Sequence, residues 1–250
     1  MNSIQKFQQS AHKYEEAIRY CIANSEVYDK NNLPEGDYPE GFDTQFYVID
    51  ATTQDAIKTC NLSSLAVLSF ACKRNPAGQT QTTCSGQEAD LSKISFLPTI
   101  LNDNKLLLKY YVPNRETDAY GGDAVAYLPR VPFFFSDEER YVDIISCSAP
   151  SVAHLYKVSR DRIRTLLERR IDTVLSSALC RGVRNIILGA WGCGGCQLDP
   201  LAVANAFFSV FSTGYHGVFE NVIFAIPDTL EDNNFDIFNS IFGGELLDEG

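Results

Sequence analysis

Short apolar runs alternate along the chain with longer segments of helical periodicity. The runs at 46–50, 65–71, 185–190 and 219–226 predict strands, and the nearly continuous run at 65–71 is typical of a strand buried on both faces. From Val158 to Arg181 the apolar residues recur every three or four positions, which predicts a long amphipathic helix. The five arginines of this helix, at 160, 162, 164, 169 and 170, are expected to form a solvated face, and the alternative is a binding patch.

The same pattern predicts the fold class. Further helices are predicted at 4–24, 200–211 and 233–242, a helix start at 52–56, and further strands at 106–112, 124–128, 131–135 and 142–146. Strands that alternate with helices over the last third of the chain imply right-handed crossovers and a largely parallel sheet. We therefore expect a three-layer α/β/α domain over 1–250, with a helical extension and loop at 1–45 packed on it.

Charge and composition narrow the range of partners. The 250 residues carry a formal net charge of −11, which argues against a protein that holds nucleic acid, because binding to a phosphate backbone needs clustered Lys and Arg. The first residues lack the apolar core of a signal peptide, and no segment has 18 uninterrupted apolar residues. We expect a cytoplasmic protein without membrane contact. A small nucleotide remains compatible with the charge.

The eight cysteines are scattered along the chain. They lie at 21, 60, 72, 84, 147, 180, 193 and 196. In a reducing compartment most of them are expected to be free thiols. Cys193 and Cys196 have the spacing of half a zinc site or of a redox pair, but a structural zinc site needs four ligands and the chain has no second tight pair. We expect neither a metal nor a cofactor.

A glycine-rich turn follows the predicted strand at 185–190. Gly192, Gly194 and Gly195 fall within four positions, and glycine permits the positive φ values that direct several N–H groups at one anion. Asp199 is a good N-cap, and Pro200 suits the first position of the next helix. The turn is therefore a candidate diphosphate site, although a tight corner between strand and helix explains the same pattern.

A second candidate segment follows the buried strand at 65–71. Residues 75–86 form a polar loop, and in open α/β sheets ligands bind at this position. Gln87 and Glu88 at the following helix start place an amide and a carboxylate beside a ligand on the glycine turn. The alternative is that Gln87, Glu88 and Asp90 only complement the helix dipole in the first turn.

With both segments in view, the chain resembles the microbial type of poly(ADP-ribose) glycohydrolase, a macrodomain family, along nearly its whole length. The matching pieces are the helix start at 52–56, the Asn75-Pro76 loop with Gln87-Glu88, the proline-containing middle strands, the turn Gly189-Ala190-Trp191-Gly192-Cys193-Gly194, and the segment 222–228. The resemblance implies a macrodomain with a mixed, largely parallel sheet, and the partners ADP-ribose and ADP-ribosylated protein. It also implies which residues bind ADP-ribose: Asn75, Gly78 and Gln87 toward the distal ribose, and Gly192, Cys193, Gly194, Gly195 and Cys196 around the diphosphate.

The chain departs from the family at its catalytic signature of three glycines followed by Gln-Glu-Glu. Ala77-Gly78-Gln79 replaces the glycines and Gln87-Glu88-Ala89 replaces the acidic pair, so Ala89 stands where the family has a proton-transferring glutamate. Cys196 stands where an aromatic residue is common. The remaining candidates for catalysis are the carboxylates Glu88, Asp90, Asp118 and Asp123.

These observations leave several functions open. The first is a hydrolase that removes mono-ADP-ribose from protein side chains, with arginine linkages favoured because acidic residues hold a guanidinium bidentately. The second is a reader that binds ADP-ribose without cleaving it, as the loss of a glutamate at position 89 suggests. Residual poly(ADP-ribose) glycohydrolase activity is a third possibility, and a redox or zinc protein built on Cys193 and Cys196 is a remote one.

Overall fold

A mixed seven-stranded sheet forms the centre of the part of the chain that the structure, a computed structural model, describes: residues 14–29, 32, 41–78, 86–118, 120–136, 138–153 and 155–243. The strands are β1 (Glu26–Tyr28), β2 (Gln45–Ile49), β3 (Leu65–Phe70), β4 (Val125–Phe134), β5 (Glu139–Cys147), β6 (Asn185–Leu188) and β7 (Asn221–Ala225). Their order across the sheet is β1-β4-β5-β3-β6-β7-β2.

The five strands from β5 to β2 in this order are parallel, and β4 is antiparallel to both of its neighbours. The pairing of β4 with β5 shifts between Leu128 and Val131, where Arg130 has a φ of 55°. The two strands predicted at 124–128 and 131–135 are therefore one strand with an irregularity. The carboxyl ends of β3, β6 and β7 share one edge of the sheet.

Helices cover both faces of the sheet. They are α1 (Glu15–Asn24), α2 (Thr53–Thr59), α3 (Gln87–Lys93), α4 (Leu97–Leu101), α5 (Asn104–Leu106), α6 (Val112–Arg115), α7 (Arg160–Leu179), α8 (Pro200–Gly214) and α9 (Asn234–Phe242). Residues of α7, α8 and α9 form the buried cluster on one face, and residues of α1, α2, α3 and α4 form the cluster on the other. Val67 and Leu68 belong to opposite clusters, as neighbouring strand residues must. The predicted three-layer α/β/α class is confirmed.

The prediction of a strand at 106–112 is wrong. This segment is helical, with a π-helical stretch, Leu107–Tyr111, between α5 and α6. The Asp103 side chain accepts a hydrogen bond from the Lys105 N–H at 2.8 Å and so starts the helix. An apolar run does not distinguish a strand from a buried helix, and Tyr110 and Tyr111 are both fully buried here.

The first helix is attached to the rest of the fold at its carboxyl end. Residues 15–24 of the predicted helix 4–24 are helical, and residues 4–13 lie outside the described residues, as does most of the loop predicted at 31–43. The Lys105 ammonium donates to the carbonyl oxygens of Ile22, Ala23 and Ser25 at 3.0, 3.0 and 2.6 Å. Ile22 also accepts from the N–H and the hydroxyl group of Ser25, and a cation at a helix carboxyl end is favourable.

No helix in the described part of the chain has both the length and the apolar character needed to cross a membrane.

Candidate functional site

A cleft runs along the carboxyl ends of β3, β6 and β7. It consists of two cavities of about 520 and 540 Å³, here called the first and the second cavity, which share Phe70, Gln87, Ala190, Pro227 and Asp232 in their walls. The first cavity lies between the start of α2, one side of α3 and residues 225–234. The second lies between the start of α3 and the glycine turn after β6. Ligands of open α/β sheets bind at this edge.

The glycine turn has a closed part and an open part. A Cβ on Gly192, which has a φ of 84°, would lie 2.6 Å from Leu198 Cδ1 and 2.7 Å from Ala149 Cβ, so only glycine fits. A Cβ on Gly194 or Gly195 would meet nothing within 4 Å. Both of these residues line the second cavity, so their backbone is accessible to a ligand.

Hydrogen bonds hold the glycine turn in place but do not use all of its backbone N–H groups. Trp191 is fully buried, and its indole N–H donates to the carbonyl oxygen of Cys147 at 3.1 Å. The N–H of Leu198 donates to Gly192 at 3.1 Å and the N–H of Gln197 to Gly194 at 2.8 Å. Within the described residues, no acceptor is bonded to the N–H groups of Gly192, Gly194, Gly195 and Cys196. A cluster of such donors is suited to bind an anion.

Gln87 anchors α3 to the end of β3. Its Oε1 accepts from the N–H of Phe70 at 2.9 Å, and its Nε2 donates to the carbonyl oxygen of Leu68 at 2.8 Å and to Thr53 Oγ1 at 3.2 Å. Protein groups thus engage both ends of the amide. Gln87 lines the cleft, but its main effect is to position the residues that follow it.

Glu88 lies in the wall of the second cavity and is only 3% exposed. Its Oε2 accepts from the N–H of Cys72 at 3.0 Å, which fixes the carboxylate to the segment after β3. Asp90 lines the first cavity instead, where it pairs with Lys93 at 2.6 Å. Two positions along a helix rotate a side chain by roughly 200°, so these carboxylates serve different cavities. Ala89 also lines the second cavity.

The structure does not bring Asp118 and Asp123 to the cleft. Both line a separate hollow of about 450 Å³ between α7 and the loop before β4, here called the third cavity. Asp118 pairs with Arg162 at 2.6 Å, and Asp123 pairs with both Arg169 and Arg170. These two candidates for catalysis therefore lie in the third cavity and not in the cleft, and each is held by arginine of the protein itself.

The prediction that the arginines of α7 form a solvated face is wrong for Arg170. Its side chain is fully buried. It donates to Asp123 Oδ1 at 3.0 Å and to the carbonyl oxygens of Ser148, Tyr120 and Gly121 at 2.9, 2.9 and 2.8 Å. Arg170 therefore connects α7, the end of β5 and the loop before β4.

The segment after β3 contains Asn75 and Gly78, which were predicted to contact the distal ribose. Pro76–Gly78 form a 3-10 turn in which Ala77 is buried with a φ of 55°. Asn75 and Gly78 are not among the described residues that line either cavity of the cleft. Residues 79–85 lie outside the described residues. Ligand contacts by Asn75 and Gly78 stay predictions.

The two cysteines of the glycine turn differ in their surroundings. Cys193 packs against the core, its N–H donates to the carbonyl oxygen of Ala190 at 3.2 Å, and it is not among the described residues that line the cleft, so its contact with ADP-ribose stays a prediction. Burial, reinforced by Asp199, raises the pKa of its thiol to about 12. Cys196 lines the second cavity. Both are free thiols, and within the described residues no group of three His, Cys, Asp or Glu side chains is arranged to hold a metal.

Several residues of the cleft were not predicted from the sequence. Phe70, Ala190 and Asp232 line both cavities, and Thr229 lines the first. Each of them follows or ends a strand of the parallel sheet. The available signal was therefore their position at the carboxyl ends of strands, not their residue type.

A comparison with models of protein families identifies the family of the chain. The model of the microbial-type PARG catalytic domain matches residues 3–136, more than half of the chain. Comparison with curated protein sequences gives no match.

Solved structures of bacterial poly(ADP-ribose) glycohydrolases have the same fold. The Deinococcus radiodurans enzyme in complex with ADP-ribose is 27% identical, with a TM-score of 0.79 over 89% of this chain and 96% of that one. The Thermomonospora curvata enzyme is 27% identical, with a TM-score of 0.80 over 91% of this chain and 89% of that one. The same enzyme bound to the inhibitor ADP-HPD matches with 27% identity and a TM-score of 0.78 over 90% and 88% of the two chains.

Proposed function

The chain belongs to the microbial-type poly(ADP-ribose) glycohydrolase family, and we propose that it binds ADP-ribose in the cleft and hydrolyses the glycosidic bond of the distal ribose. One observation carries the proposal: the unused N–H groups of the glycine turn lie across the second cavity from the buried carboxylate of Glu88. An anion cradle opposite a fixed carboxylate suits a diphosphate next to a reacting sugar.

The shape of the cleft suggests how the ligand lies in it. The adenosine half occupies the first cavity, where apolar Phe70, Leu91 and Ile226 accept a base and Asp90 accepts hydrogen bonds. The diphosphate lies on Gly194 and Gly195. The distal ribose then reaches the part of the second cavity formed by Cys72 and Glu88. The D. radiodurans enzyme in complex with ADP-ribose and the T. curvata enzyme bound to the inhibitor ADP-HPD support binding of ADP-ribose by a protein of this fold.

Glu88 is the residue that we propose for proton transfer. Hydrolysis of a glycosidic bond needs a proton on the leaving oxygen or nitrogen and a water molecule at the anomeric carbon, while positive charge develops on the sugar. Glu88 is held rigidly by the Cys72 N–H, so its carboxyl group protonates the leaving atom and its carboxylate then takes a proton from the attacking water. Asp232, the other carboxylate in this wall, is exposed.

The identity of the leaving group, and so the linkage that is cleaved, is a separate question. Release of mono-ADP-ribose from protein side chains is a candidate reaction, and a carboxylate-rich site would suit an arginine linkage. Asp118 and Asp123 hold the protein's own arginines, which weakens the case for arginine. An ADP-ribose reader is the second candidate function, and one observation favours it: Ala89 supplies no proton from the wall of the second cavity.

Two measurements test the proposal in sequence. Calorimetry with free ADP-ribose measures binding, and mass spectrometry follows the release of ADP-ribose from the polymer and from proteins modified on arginine, glutamate or serine. Binding with release from at least one substrate supports the hydrolase. Binding without any release supports the reader, and absence of binding by the folded protein overturns both.

Replacing Gly194 by alanine (Gly194→Ala) is expected to weaken binding of ADP-ribose at least about tenfold, a change of roughly 1.4 kcal/mol. The new methyl group has free space in the protein but enters the proposed diphosphate site. Calorimetry measures the loss. Gly214→Ala, whose added Cβ also meets nothing within 4 Å but lies in α8, is the matched control and is expected to bind normally. Equal affinities in the two variants would contradict the diphosphate assignment.

Introducing a carboxyl group at position 89 (Ala89→Glu) is expected to raise the rate of polymer hydrolysis at least about tenfold, because an added proton donor faces the second cavity. The rate of ADP-ribose release from purified polymer measures the gain. Ala89→Gln has the same length without the acidic proton and is expected to give no increase. A gain of similar size in both variants would show that side-chain volume, and not proton transfer, changes the rate.

A further inference from the structure

We propose that Trp191 is a positioning residue: through one hydrogen bond it sets the distance between the glycine turn, where the diphosphate lies, and the carboxyl group of Glu88. This role rests on the proposed function, because it takes Glu88 to transfer a proton to the leaving atom of a ligand held on the turn. The Trp191 side chain is fully buried, so it contributes to the geometry of the second cavity and not to the chemical step itself.

The carbonyl oxygen of Cys147, the last residue of β5, accepts hydrogen bonds from two parts of the chain. One donor is the indole N–H of Trp191 in the glycine turn, at 3.1 Å. The other is the backbone N–H of Ala71 in the segment after β3, also at 3.1 Å. The two donors belong to opposite walls of the second cavity. A single oxygen atom is therefore the point at which the two walls are joined.

The Ala71 side of this connection leads directly to the proposed proton donor. The next residue, Cys72, donates its backbone N–H to Glu88 Oε2 at 3.0 Å. The indole ring and the carboxylate are therefore connected through the Cys147 carbonyl group and the backbone of Ala71. Trp191, Cys147, Ala71 and Glu88 are all buried, and closely packed groups transmit a displacement at one end to the other.

Other contacts maintain the shape of the glycine turn when this hydrogen bond is removed. The N–H of Leu198 donates to the carbonyl oxygen of Gly192 at 3.1 Å, within the turn. The N–H of Val152, after β5, donates to the carbonyl oxygen of Cys196 at 3.0 Å. Loss of the indole N–H is therefore expected to shift the turn relative to Glu88 while its free N–H groups still bind the diphosphate.

Proton transfer depends more strongly on this distance than binding does. A bound ADP-ribose group moves with the turn that holds its diphosphate, whereas the leaving atom has to lie within hydrogen-bond reach of Glu88. Misplacement of a reacting group by about 1 Å lowers a rate by up to about 100-fold. Trp191 is therefore expected to affect the rate of cleavage and to have little effect on the affinity for free ADP-ribose.

The test replaces Trp191 by benzothienylalanine, an analogue of the same shape in which a sulfur atom replaces the indole N–H. Trp191 is the only tryptophan of the chain, so incorporation of the analogue in place of tryptophan changes this residue alone. The single-turnover rate on the substrate that the parent protein cleaves is expected to fall at least about tenfold. Calorimetry is expected to give an affinity for ADP-ribose within about threefold of the parent value. Trp191→Phe also lacks the donor and is expected to show the same pattern.

Tyr215→Phe is the matched control, because it removes a hydrogen-bond donor from another buried aromatic side chain. The Tyr215 hydroxyl group donates to the carbonyl oxygen of Asp172 at 2.9 Å, and Tyr215 lines neither cavity of the cleft. This variant is expected to have a lower melting temperature and an unchanged rate. Thermal unfolding of all the proteins verifies that they fold, and Trp191→Phe decides the matter if the analogue protein does not.

The outcomes separate a positioning role from a structural one. An unchanged rate in the analogue protein, or losses of rate and affinity of equal size, overturns the role of Trp191 and leaves the proposed function intact. A rate that falls equally in Tyr215→Phe also overturns it, because the loss then follows stability. A parent protein that binds ADP-ribose but cleaves no substrate overturns the proposed function and this role together.

Discussion

Glu88→Gln is expected to lower the rate of ADP-ribose release by about 100-fold or more, the contribution typical of a group that transfers a proton in the transition state. Binding of ADP-ribose is expected to stay within about threefold of that of the parent protein. The amide keeps an oxygen that accepts from the Cys72 N–H, so the wall of the second cavity is preserved. Single-turnover hydrolysis and calorimetry measure the two quantities.

Asp90→Asn is the control for this experiment. Asp90 lies on the same helix but faces the first cavity and pairs with an exposed lysine, Lys93. We expect it to change affinity and not the rate of the chemical step. A variant at Glu88 that still hydrolyses at the parent rate would remove this carboxylate from the mechanism and favour another proton donor.

Arg170→Met is expected to lower the free energy of unfolding by about 3–5 kcal/mol, the usual cost of removing one partner of a buried ion pair. Asp123 would keep only Arg169, and the carbonyl groups of Ser148, Tyr120 and Gly121 would lose their buried donor. For a chain of this size the melting temperature should fall by roughly 10 °C. Urea denaturation and calorimetric melting measure the effect.

Arg164→Met serves as the comparison for Arg170→Met. Arg164 is exposed and lies 3.7 Å from Asp161, so its loss is expected to cost less than about 1 kcal/mol. Equal stability of the two variants would contradict the role given to Arg170. Loss of stability in Arg170→Met without loss of ADP-ribose binding would separate this buried network from the cleft.

The fold was predictable where a local signal and the tertiary environment agree. Pro200 and Asp199 begin α8, and the apolar run at 65–71 is a strand with residues buried on both faces. The stretch at 106–112 could not be assigned from its apolar character, because Leu108 and Val112 are apolar but exposed and so hide the helical spacing of the buried residues. Its helix depends on one capping side chain, Asp103.

The candidate site was predictable in its two segments and less so in its individual residues. The glycine turn and the start of α3 do form the walls of one cavity. Which carboxylates belong to it depends on helix phase for Asp90 and on arginines distant in sequence for Asp118 and Asp123. Arg170 shows the same limit, because its partners lie 22 to 50 positions away in the chain.

The attachment of α1 through Lys105 bears on where the chain can be shortened without loss of stability. A protein shortened to begin at residue 25 would leave this ammonium group without the carbonyl oxygens of Ile22 and Ala23, and would uncover the apolar surface that Ile18 and the fully buried Cys21 now cover. A protein that retains the residues from Tyr14 onward is therefore expected to be more stable than one that begins at residue 25, although no residue from Tyr14 to Asn24 lines either cavity of the cleft.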